Sequence, residues 1–207
     1  MVKVAFFGYR DWAIRIFENL RPLKAILEIV DFHDADVLLY YGWSEIISKG
    51  IYKNKLCLIL HPSPLPKYRG GSPIQHQIIN GEVKSAITIC RVTDKLDSGG
   101  IYSQTPFSLE GSLNDIFDRI VKIGTRDTVK VLKQLAAKTI KLIPQDENKA
   151  TVYKRRTPGE SELFPEDFRT ESAKDLYNFI RALNDPYPNA YIKCGDGKKL
   201  YFTGAHL

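Results

Sequence analysis

One histidine and one aspartate in this sequence stand where acid–base chemistry is expected. His61 follows an apolar run at 56–60 that is typical of a buried strand, and a proline-containing loop begins directly after it. Asp97 lies in a second loop, at 94–100, that ends in two glycines. Open α/β sheets place their active sites just beyond the carboxyl ends of the strands. We therefore expect His61 and Asp97 to form a catalytic pair.

An imidazole and a carboxylate that are paired in this way can serve as acid and base. Histidine is the side chain whose ordinary pKa lies near neutrality, so it can stabilise a developing oxyanion as a cation or move a proton. The carboxylate either holds the charge state of the imidazole or relays the proton itself. A second interpretation of His61 stays open, namely a strand-end histidine that is hydrogen-bonded to a backbone carbonyl.

The elements that would position these residues alternate between strands and helices, beginning with a strand, a glycine-containing turn and a helix. Strands are predicted at 4–7, 25–30, 36–41, 56–60, 85–92 and 101–104, the last two as a hairpin. Helices are predicted at 11–20, 44–49, 72–79, 112–138 and from residue 172. This order predicts an α/β fold in which helices flank a mostly parallel, twisted sheet. The first turn lacks the GxGxxG pattern of dinucleotide binding.

The chain after residue 143 differs in composition and periodicity from the part before it. Residues 144–165 are polar, contain prolines and show little periodicity, and a short helix and a β-hairpin around Gly195-Asp196-Gly197 follow. We expect a catalytic domain at 1–140 and a C-terminal extension at 141–207 that packs on it and ends in the hairpin.

Composition limits the classes of function. The chain has 207 residues, of which 43% are hydrophobic and 26% charged, as is ordinary for a soluble globular protein. No apolar run reaches the ~18 residues that a membrane span needs, and the first residues lack the pattern of a signal peptide. The three cysteines form no CxxC pair, which favours buried thiols in a reducing compartment. We expect a cytoplasmic protein with no membrane partner.

The net charge of +6 raises the question of nucleic-acid binding. The basic residues are scattered, however, and the only dense run is Lys154-Arg155-Arg156. A solvated surface or a site for a small anionic substrate is the more common reason for such a surplus, so no nucleic-acid partner is predicted. No grouping of His, Cys, Asp and Glu has metal-ligand spacing, and no metal is predicted.

The sequence from His61 to Gly70, HPSPLPKYRG, followed by Leu96-Asp97-Ser98-Gly99, resembles the signature of the folate-dependent formyltransferases. That family includes glycinamide ribonucleotide transformylase, methionyl-tRNA formyltransferase and the sugar N-formyltransferases, and the small sugar enzymes are the most similar. The resemblance covers most of 1–140 and, more loosely, the tail. It implies a Rossmann-like formyltransferase fold that transfers a formyl group from N10-formyltetrahydrofolate to an amine, with His61 and Asp97 as the catalytic residues.

The resemblance also implies two sets of binding residues. Those expected at the folate are Tyr41, Gly42, Trp43, Asp94 and Leu96. Those expected at the amine substrate are Ser63, Pro64, Leu65, Tyr68, Arg69, Gly70, Gln75, Arg155 and Arg156. Trp43 is alternatively a core residue and Asp94 a turn residue. Ser63 and Arg69 alternatively organise the loop.

One position departs from the pattern of the family. The asparagine that the family carries two residues before the histidine is Ile59 in this chain. An asparagine there donates a hydrogen bond to the developing oxyanion, and loss of such a donor costs about 3–4 kcal/mol in other enzymes. Either Gln75, His76 or a backbone N–H compensates, or the protein is a weakly active or inactive relative that binds folate and sugar.

The amine substrate is expected to be a nucleotide-linked 4-amino-4,6-dideoxy sugar, of a surface-glycan or pseudaminic acid pathway. Arg155-Arg156-Thr157-Pro158 resembles the Arg-Arg-x-Pro segment near the substrate site of the nucleotide-sugar enzymes, and arginines suit a diphosphate through charge-assisted hydrogen bonds. An exposed basic loop is the other interpretation of this run.

Two further acceptors and an assembly state have to be weighed. The tRNA enzymes carry a further C-terminal domain, for which the residues after the main helix are too few, so initiator tRNA is not expected. Glycinamide ribonucleotide stays an alternative acceptor, although the basic segment and the terminal hairpin are not expected of that enzyme. A homodimer is left open.

Overall fold

Ten strands and six α-helices are present in the computed structural model, which describes residues 1–207. The strands are β1 Val2–Phe7, β2 Leu27–Ile29, β3 Val37–Tyr41, β4 Leu56–His61, β5 Arg69–Gly70, β6 Lys84–Arg91, β7 Ile101–Ser108, β8 Val152–Tyr153, β9 Ala190–Lys193 and β10 Lys199–Phe202. The helices are α1 Asp11–Leu20, α2 Lys49–Tyr52, α3 Pro73–Ile79, α4 Leu113–Ala136, α5 Asp167–Thr170 and α6 Ala173–Ala182, with short 3-10 helices at Glu147–Lys149 and Pro158–Ser161.

The main sheet has six strands in the order β2-β1-β3-β4-β6-β7. β1 pairs in parallel with β2 and β3, and β3 pairs in parallel with β4. β6 runs antiparallel to both β4 and β7, so β6 and β7 form the predicted hairpin. The expected α/β fold with a mostly parallel sheet is confirmed. β4 is an inner strand, and its carboxyl end places His61 near the middle of the sheet.

The two faces of the sheet are covered differently. Successive side chains of a strand point to opposite faces, and in β3 Leu39 and Tyr41 join the larger core while Leu38 and Tyr40 join a smaller one. Helices α1 and α4 contact each other and close the larger core, and the region around α2 covers the smaller one. Because both faces of β3 are covered, all of its residues are buried.

The sequence marks the start of the long helix α4. The Asp115 backbone N–H donates to Ser112 Oγ at 3.2 Å, and the Ser112 backbone N–H donates to the Asp115 carboxylate at 2.9 Å. These two bonds form a capping box at the beginning of the helix, which lies within the range predicted at 112–138. None of the helices combines the length and the apolar character that crossing a bilayer requires.

The helix predicted at 44–49 is wrong. Residues 44–48 form no helix, and α2 begins only at Lys49 and has four residues. Ile47 packs on the smaller core, but its neighbour Ile46 is 95% exposed, so this segment has no apolar stripe that a helix could bury. The segment instead borders the main cavity of the protein.

The residues beyond α4 pack back onto the part of the chain that carries His61. Strand β8 pairs in parallel with β5, which places Tyr153 opposite Gly70. Helix α6 packs against α3. Strands β9 and β10 form the predicted C-terminal antiparallel hairpin.

Candidate functional site

His61 is held by one ring nitrogen, which leaves the other free. Its Nε2 lies 2.7 Å from the Tyr68 backbone oxygen. A carbonyl oxygen only accepts hydrogen bonds, so Nε2 carries the proton and Nδ1 is the position that gains or loses one. The bond to a backbone carbonyl is the one expected of a purely structural histidine. It occupies only half of the ring, and Nδ1 faces the Asp97 carboxylate.

Asp97 brings the second loop to the histidine. Its Oδ2 lies 3.6 Å from His61 Nδ1 and accepts a hydrogen bond of 2.8 Å from the Gly70 backbone N–H. Both side chains are 9% exposed, so solvent screens the interaction weakly. Asp97 has a φ of 50°, in the left-handed region that aspartate and asparagine tolerate better than most residues. The two loops therefore meet in a defined geometry.

The pair opens into a cavity of about 650 Å³, a size typical of small-molecule sites. The predicted site residues that line it are Gly42, Trp43, His61, Gly70, Gln75, Asp94, Leu96, Asp97 and Arg155. Residues expected at the folate and residues expected at the amine substrate thus share one cavity. No group of three or more His, Cys, Asp or Glu side chains is arranged to hold a metal ion.

Four of the predicted residues lie in the loop between β4 and β5 but outside the cavity lining. Ser63 is fully buried and donates to the Lys67 backbone oxygen at 2.8 Å. Leu65 belongs to a small apolar cluster, and Tyr68 stacks on Tyr153 with the ring centroids 5.0 Å apart. Pro64 also lies away from the lining. Their contacts shape the loop rather than the wall of the cavity.

Arg69, Tyr41 and Arg156 also point away from the cavity. Arg69 is 1% exposed, and its guanidinium is engaged by side chains at 145 and 147. The hydroxyls of Tyr41 and Thr128 share a hydrogen bond of 2.9 Å inside the larger core, where burial raises the pKa of Tyr41. The Arg156 guanidinium lies 5.6 Å from the Phe179 ring centroid, and burial lowers its pKa.

Among the lining residues that the sequence did not predict, Arg10, Ser44 and Tyr187 carry polar groups that matter for the site. Arg155 Nη1 donates to Ser44 Oγ at 2.7 Å. Burial raises the pKa of Tyr187, and the guanidiniums of Arg10 and Arg155 beside it act in the opposite direction. Arg10 follows the end of β1, so the same strand-end rule that selected His61 would have found it. Nothing in the sequence places Tyr187 there.

Ile59 is half-buried and lines the cavity, where it offers no hydrogen-bond donor. Of the candidates for a substitute donor, His76 Nε2 lies 2.9 Å from the Lys154 backbone oxygen, outside the lining. The Gly70 N–H is already used by Asp97. Gln75 lines the cavity and is only 4% exposed, and its side chain contacts the Tyr187 hydroxyl.

The six-stranded sheet holds a His–Asp pair at its strand ends, next to a cavity of small-molecule size. This arrangement is typical of α/β enzymes, whose active sites lie at the carboxyl ends of the strands. Residues 17–132 match the family model described as formyl transferase, and this match covers more than half of the chain. The chain therefore belongs to the formyl transferase family.

Relatives of known sequence and structure support the same family. The methionyl-tRNA formyltransferase of Moorella thermoacetica is 33% identical over 189 residues, which cover 89% of this chain and 58% of that protein. The chain thus spans about half the length of the curated relatives it matches.

Among solved structures, a methionyl-tRNA formyltransferase from Clostridium thermocellum has a TM-score of 0.81 at 27% identity, with 97% of each chain covered. A sugar N-formyltransferase from Shewanella sp. has a TM-score of 0.78 at 17% identity, and covers 100% of this chain and 99% of that one. Both likenesses confirm the Rossmann-like formyltransferase fold.

Proposed function

We propose that this protein transfers a formyl group from N10-formyltetrahydrofolate to the 4-amino group of a nucleotide-linked 4-amino-4,6-dideoxy sugar. The observation that carries the proposal is the pair of His61 Nδ1 and Asp97 Oδ2, 3.6 Å apart, inside a cavity of about 650 Å³. Membership of the formyl transferase family supports the type of group that is transferred.

His61 and Asp97 have the arrangement that formyl transfer to an amine requires. The amine nitrogen gains a bond to the formyl carbon and must lose a proton, while the nitrogen that leaves must gain one. His61 Nδ1 accepts the first proton and returns it to the leaving nitrogen, since its Nε2–H stays fixed on Tyr68 O. Asp97 stabilises the imidazolium that exists between these two transfers.

The negative charge that develops on the formyl oxygen needs a donor, and Ile59 supplies none. We assign this role to the Gln75 amide, because it lines the cavity with His61 and is nearly fully buried there. A preorganised donor in a buried site is worth about a hundredfold or more in rate. The chain thus retains all three functions expected of the site, with the oxyanion donor on α3 instead of β4.

The folate supplies the activated formyl group, and one side of the cavity suits its flat ring. Trp43 and Leu96 line that side, together with Ile47 and Val92. Apolar and aromatic walls with a few polar groups are typical of sites for drug-sized ligands. Trp43 would pack on the ring, and the polar groups of Asp94 would face its edge.

The acceptor is proposed to lie at a cationic side of the cavity that Arg10 and Arg155 form. Arg155 and Arg10 both line the cavity and lie close enough to Tyr187 to oppose the rise of its pKa. Ser44, bonded to Arg155, keeps that guanidinium at the cavity. Two guanidiniums at one site suit the phosphates of a nucleotide, because they form charge-assisted and bidentate hydrogen bonds.

The amine of a methionyl-tRNA is the second candidate acceptor. The relatives at more than 30% identity are named methionyl-tRNA formyltransferases, and the net charge of +6 would favour an RNA partner. The cationic side of the cavity would then meet the phosphates at the end of the RNA instead of a diphosphate.

The candidate acceptors are compared by the rate at which each one releases tetrahydrofolate. The purified protein is incubated with N10-formyltetrahydrofolate and, in separate arms, dTDP- and UDP-linked 4-amino-4,6-dideoxy sugars, charged initiator tRNA and glycinamide ribonucleotide. Turnover with an amino sugar is expected, and Arg155→Met should raise its KM about tenfold or more, as loss of a charge-assisted bond predicts. Turnover with tRNA alone would replace the sugar proposal, and turnover with no amine would end both.

The role of Gln75 is tested by a cycle with position 59. Gln75→Ala should lower kcat about a hundredfold in the wild-type background. Ile59→Asn should restore much of that loss, because asparagine brings back a donor next to His61. Equal effects of Gln75→Ala with isoleucine and with asparagine at position 59 would show that the two sites do not share this role.

A further inference from the structure

Asp97 needs support that its own loop does not supply. The loop between β6 and β7 spans residues 92–100 and carries Asp97 in a left-handed conformation, which for a side chain other than glycine is strained. Such a conformation persists only where neighbouring groups fix it. The question is which residues hold Asp97 at 3.6 Å from His61 Nδ1.

Gln145, which comes after α4 in sequence, makes four hydrogen bonds, two to this loop and two to Arg69. Its Nε2 donates to the Asp97 backbone oxygen at 2.7 Å and to the Gly99 backbone oxygen at 2.8 Å. Its Oε1 accepts from Arg69 Nε at 3.1 Å and from Arg69 Nη2 at 2.8 Å. Carbonyl oxygens only accept and a guanidinium only donates, so the chemistry fixes which end of the amide faces which partner.

The partners of Gln145 are themselves fixed. Arg69 is 1% exposed and is also bound by Glu147, with Nη2 donating to Oε1 at 2.6 Å. Gly99 is packed so closely that a Cβ there would lie 1.9 Å from the Arg91 backbone oxygen. The amide therefore connects a rigid arginine to a rigid point of the loop, with the backbone of Asp97 between them.

These contacts form a continuous hydrogen-bond network around the catalytic carboxylate. Arg69 is followed by Gly70, whose N–H donates to Asp97 Oδ2 at 2.8 Å. Arg69 is thus linked to the Asp97 carboxylate through the N–H of its neighbour Gly70, and to the Asp97 backbone oxygen through Gln145. Loss of Gln145 would free the backbone of Asp97 and Gly99 from Arg69, with the Gly70 N–H still bound to the carboxylate and Glu147 still bound to Lys95 of the same loop.

We propose that Gln145 is a positioning residue that fixes the Asp97 carboxylate at His61 by tying the loop at 92–100 to Arg69. The proposal rests on the proposed function for its kinetic consequence, but the geometry that it describes is independent of the substrate. A displacement of about 1 Å in an active site can cost about a hundredfold in rate.

Gln145→Glu is the informative variant. A carboxylate at 145 keeps both acceptor bonds to Arg69, but it loses both donor bonds to the loop and repels the carbonyls of Asp97 and Gly99. We expect kcat to fall about 10- to 100-fold, with KM for both substrates unchanged and with the thermal midpoint close to that of the wild type. Gln145→Leu, which loses all four bonds, should lower kcat at least as far.

The control is Asn178→Leu on α6. Asn178 is a buried amide whose Oδ1 accepts from Arg181 Nε at 2.9 Å, far in sequence from both loops. Its substitution should lower stability and leave kcat unchanged. If activity merely followed stability, this control would lose more activity than Gln145→Glu, and the assignment of Gln145 would be overturned.

A second measurement separates this inference from the proposed function. Hydrogen exchange of the Gly70 amide reports on its bond to Asp97 Oδ2 and needs no substrate. Exchange at Gly70 should be faster in Gln145→Glu than in the wild type, whatever the acceptor is. Wild-type protein without turnover would end the proposed function and leave the exchange result valid, whereas wild-type exchange and wild-type kcat in Gln145→Glu would overturn the positioning role.

Discussion

The loops that carry His61 and Asp97 differ in how much of their support comes from the buried sheet, although Thr151, beyond α4, also accepts a hydrogen bond from Tyr68 in the first of them. The loop after β4 is fixed by groups of the sheet and of α3: Gln77 Nε2 donates to Pro62 O at 2.9 Å, and Thr88 Oγ1 donates to Ser63 O at 2.7 Å. The loop after β6 is fixed from beyond α4, by side chains at 145 and 147. Only the first set lies within the residues that match the family model.

The two catalytic side chains therefore differ in how they are positioned. The histidine is set by the buried sheet, so its position should fail only when the fold fails. The aspartate depends on side chains that are half-exposed or exposed, so its position can be lost while the protein stays folded. Substitutions in the two sets should therefore separate stability from activity.

The largest effect is expected at the histidine itself. His61→Ala removes the group that moves the proton, so kcat should fall about a thousandfold, within the range that general acid–base catalysis contributes. His33→Ala, at an exposed histidine, is the matched control and should leave kcat unchanged. Single-turnover rates with the preferred acceptor provide the measurement, and a loss of less than tenfold in His61→Ala would remove His61 from the chemistry.

Substitution of a residue that holds the loop after β4 should lower the free energy of unfolding of the protein. Gln77 is fully buried and bonds to Pro62 O, Pro73 O and Ser85 Oγ. Gln77→Leu removes the partner of Pro62 O and of Ser85 Oγ, which should cost about 2–3 kcal/mol of unfolding free energy. Urea denaturation measures the loss, with Gln134→Leu on α4 as the control. A stability equal to that of the control would contradict the view that the sheet and α3 hold this loop.

The sequence predicted local features of the two loops, but not the contacts that they make with residues beyond α4. The strand that ends at His61 and the loop that carries Asp97 could be predicted, because apolar runs and glycines mark them locally. The strand-end rule then brought the two residues together correctly. The inward or outward direction of Arg69 could not be predicted, because its partners lie at 145 and 147, after a 24-residue helix.

Two other misses have the same physical origin. The segment at 44–48 contains two apolar residues, Ile46 and Ile47, but the cavity beside it leaves Ile46 without a surface to pack on. Tyr187 reaches the cavity only because α6 and the residues after it fold back onto α3. The local pattern of apolar and polar residues does not reveal contacts between segments that are distant in sequence.

The smallest effect is expected at Glu147 and depends on pH. Arg69 and then Lys95, both hydrogen-bonded to this carboxylate, lower the pKa of Glu147 from 4.5 to about 2. The folded state therefore binds fewer protons than the unfolded one, and the carboxylate stabilises the fold above pH 4.5 but progressively less as pH falls toward 2. Thermal melts of wild type and Glu147→Gln should differ by a constant amount at neutral pH and converge in acid. A gap that widened in acid would contradict this account of the loop after β6.

His61 and Asp97 are proposed to carry the transfer of a formyl group to an amine in this cavity. The most direct test follows N10-formyltetrahydrofolate labelled with ¹³C in the formyl carbon, incubated with a dTDP-linked 4-amino-4,6-dideoxy sugar, by NMR. With the wild-type protein the label should move to an amide on the sugar nitrogen, and with His61→Ala or Asp97→Asn it should stay on the folate. Label that stays on the folate with the wild-type protein, or that moves equally fast with His61→Ala, would contradict the proposed roles of His61 and Asp97.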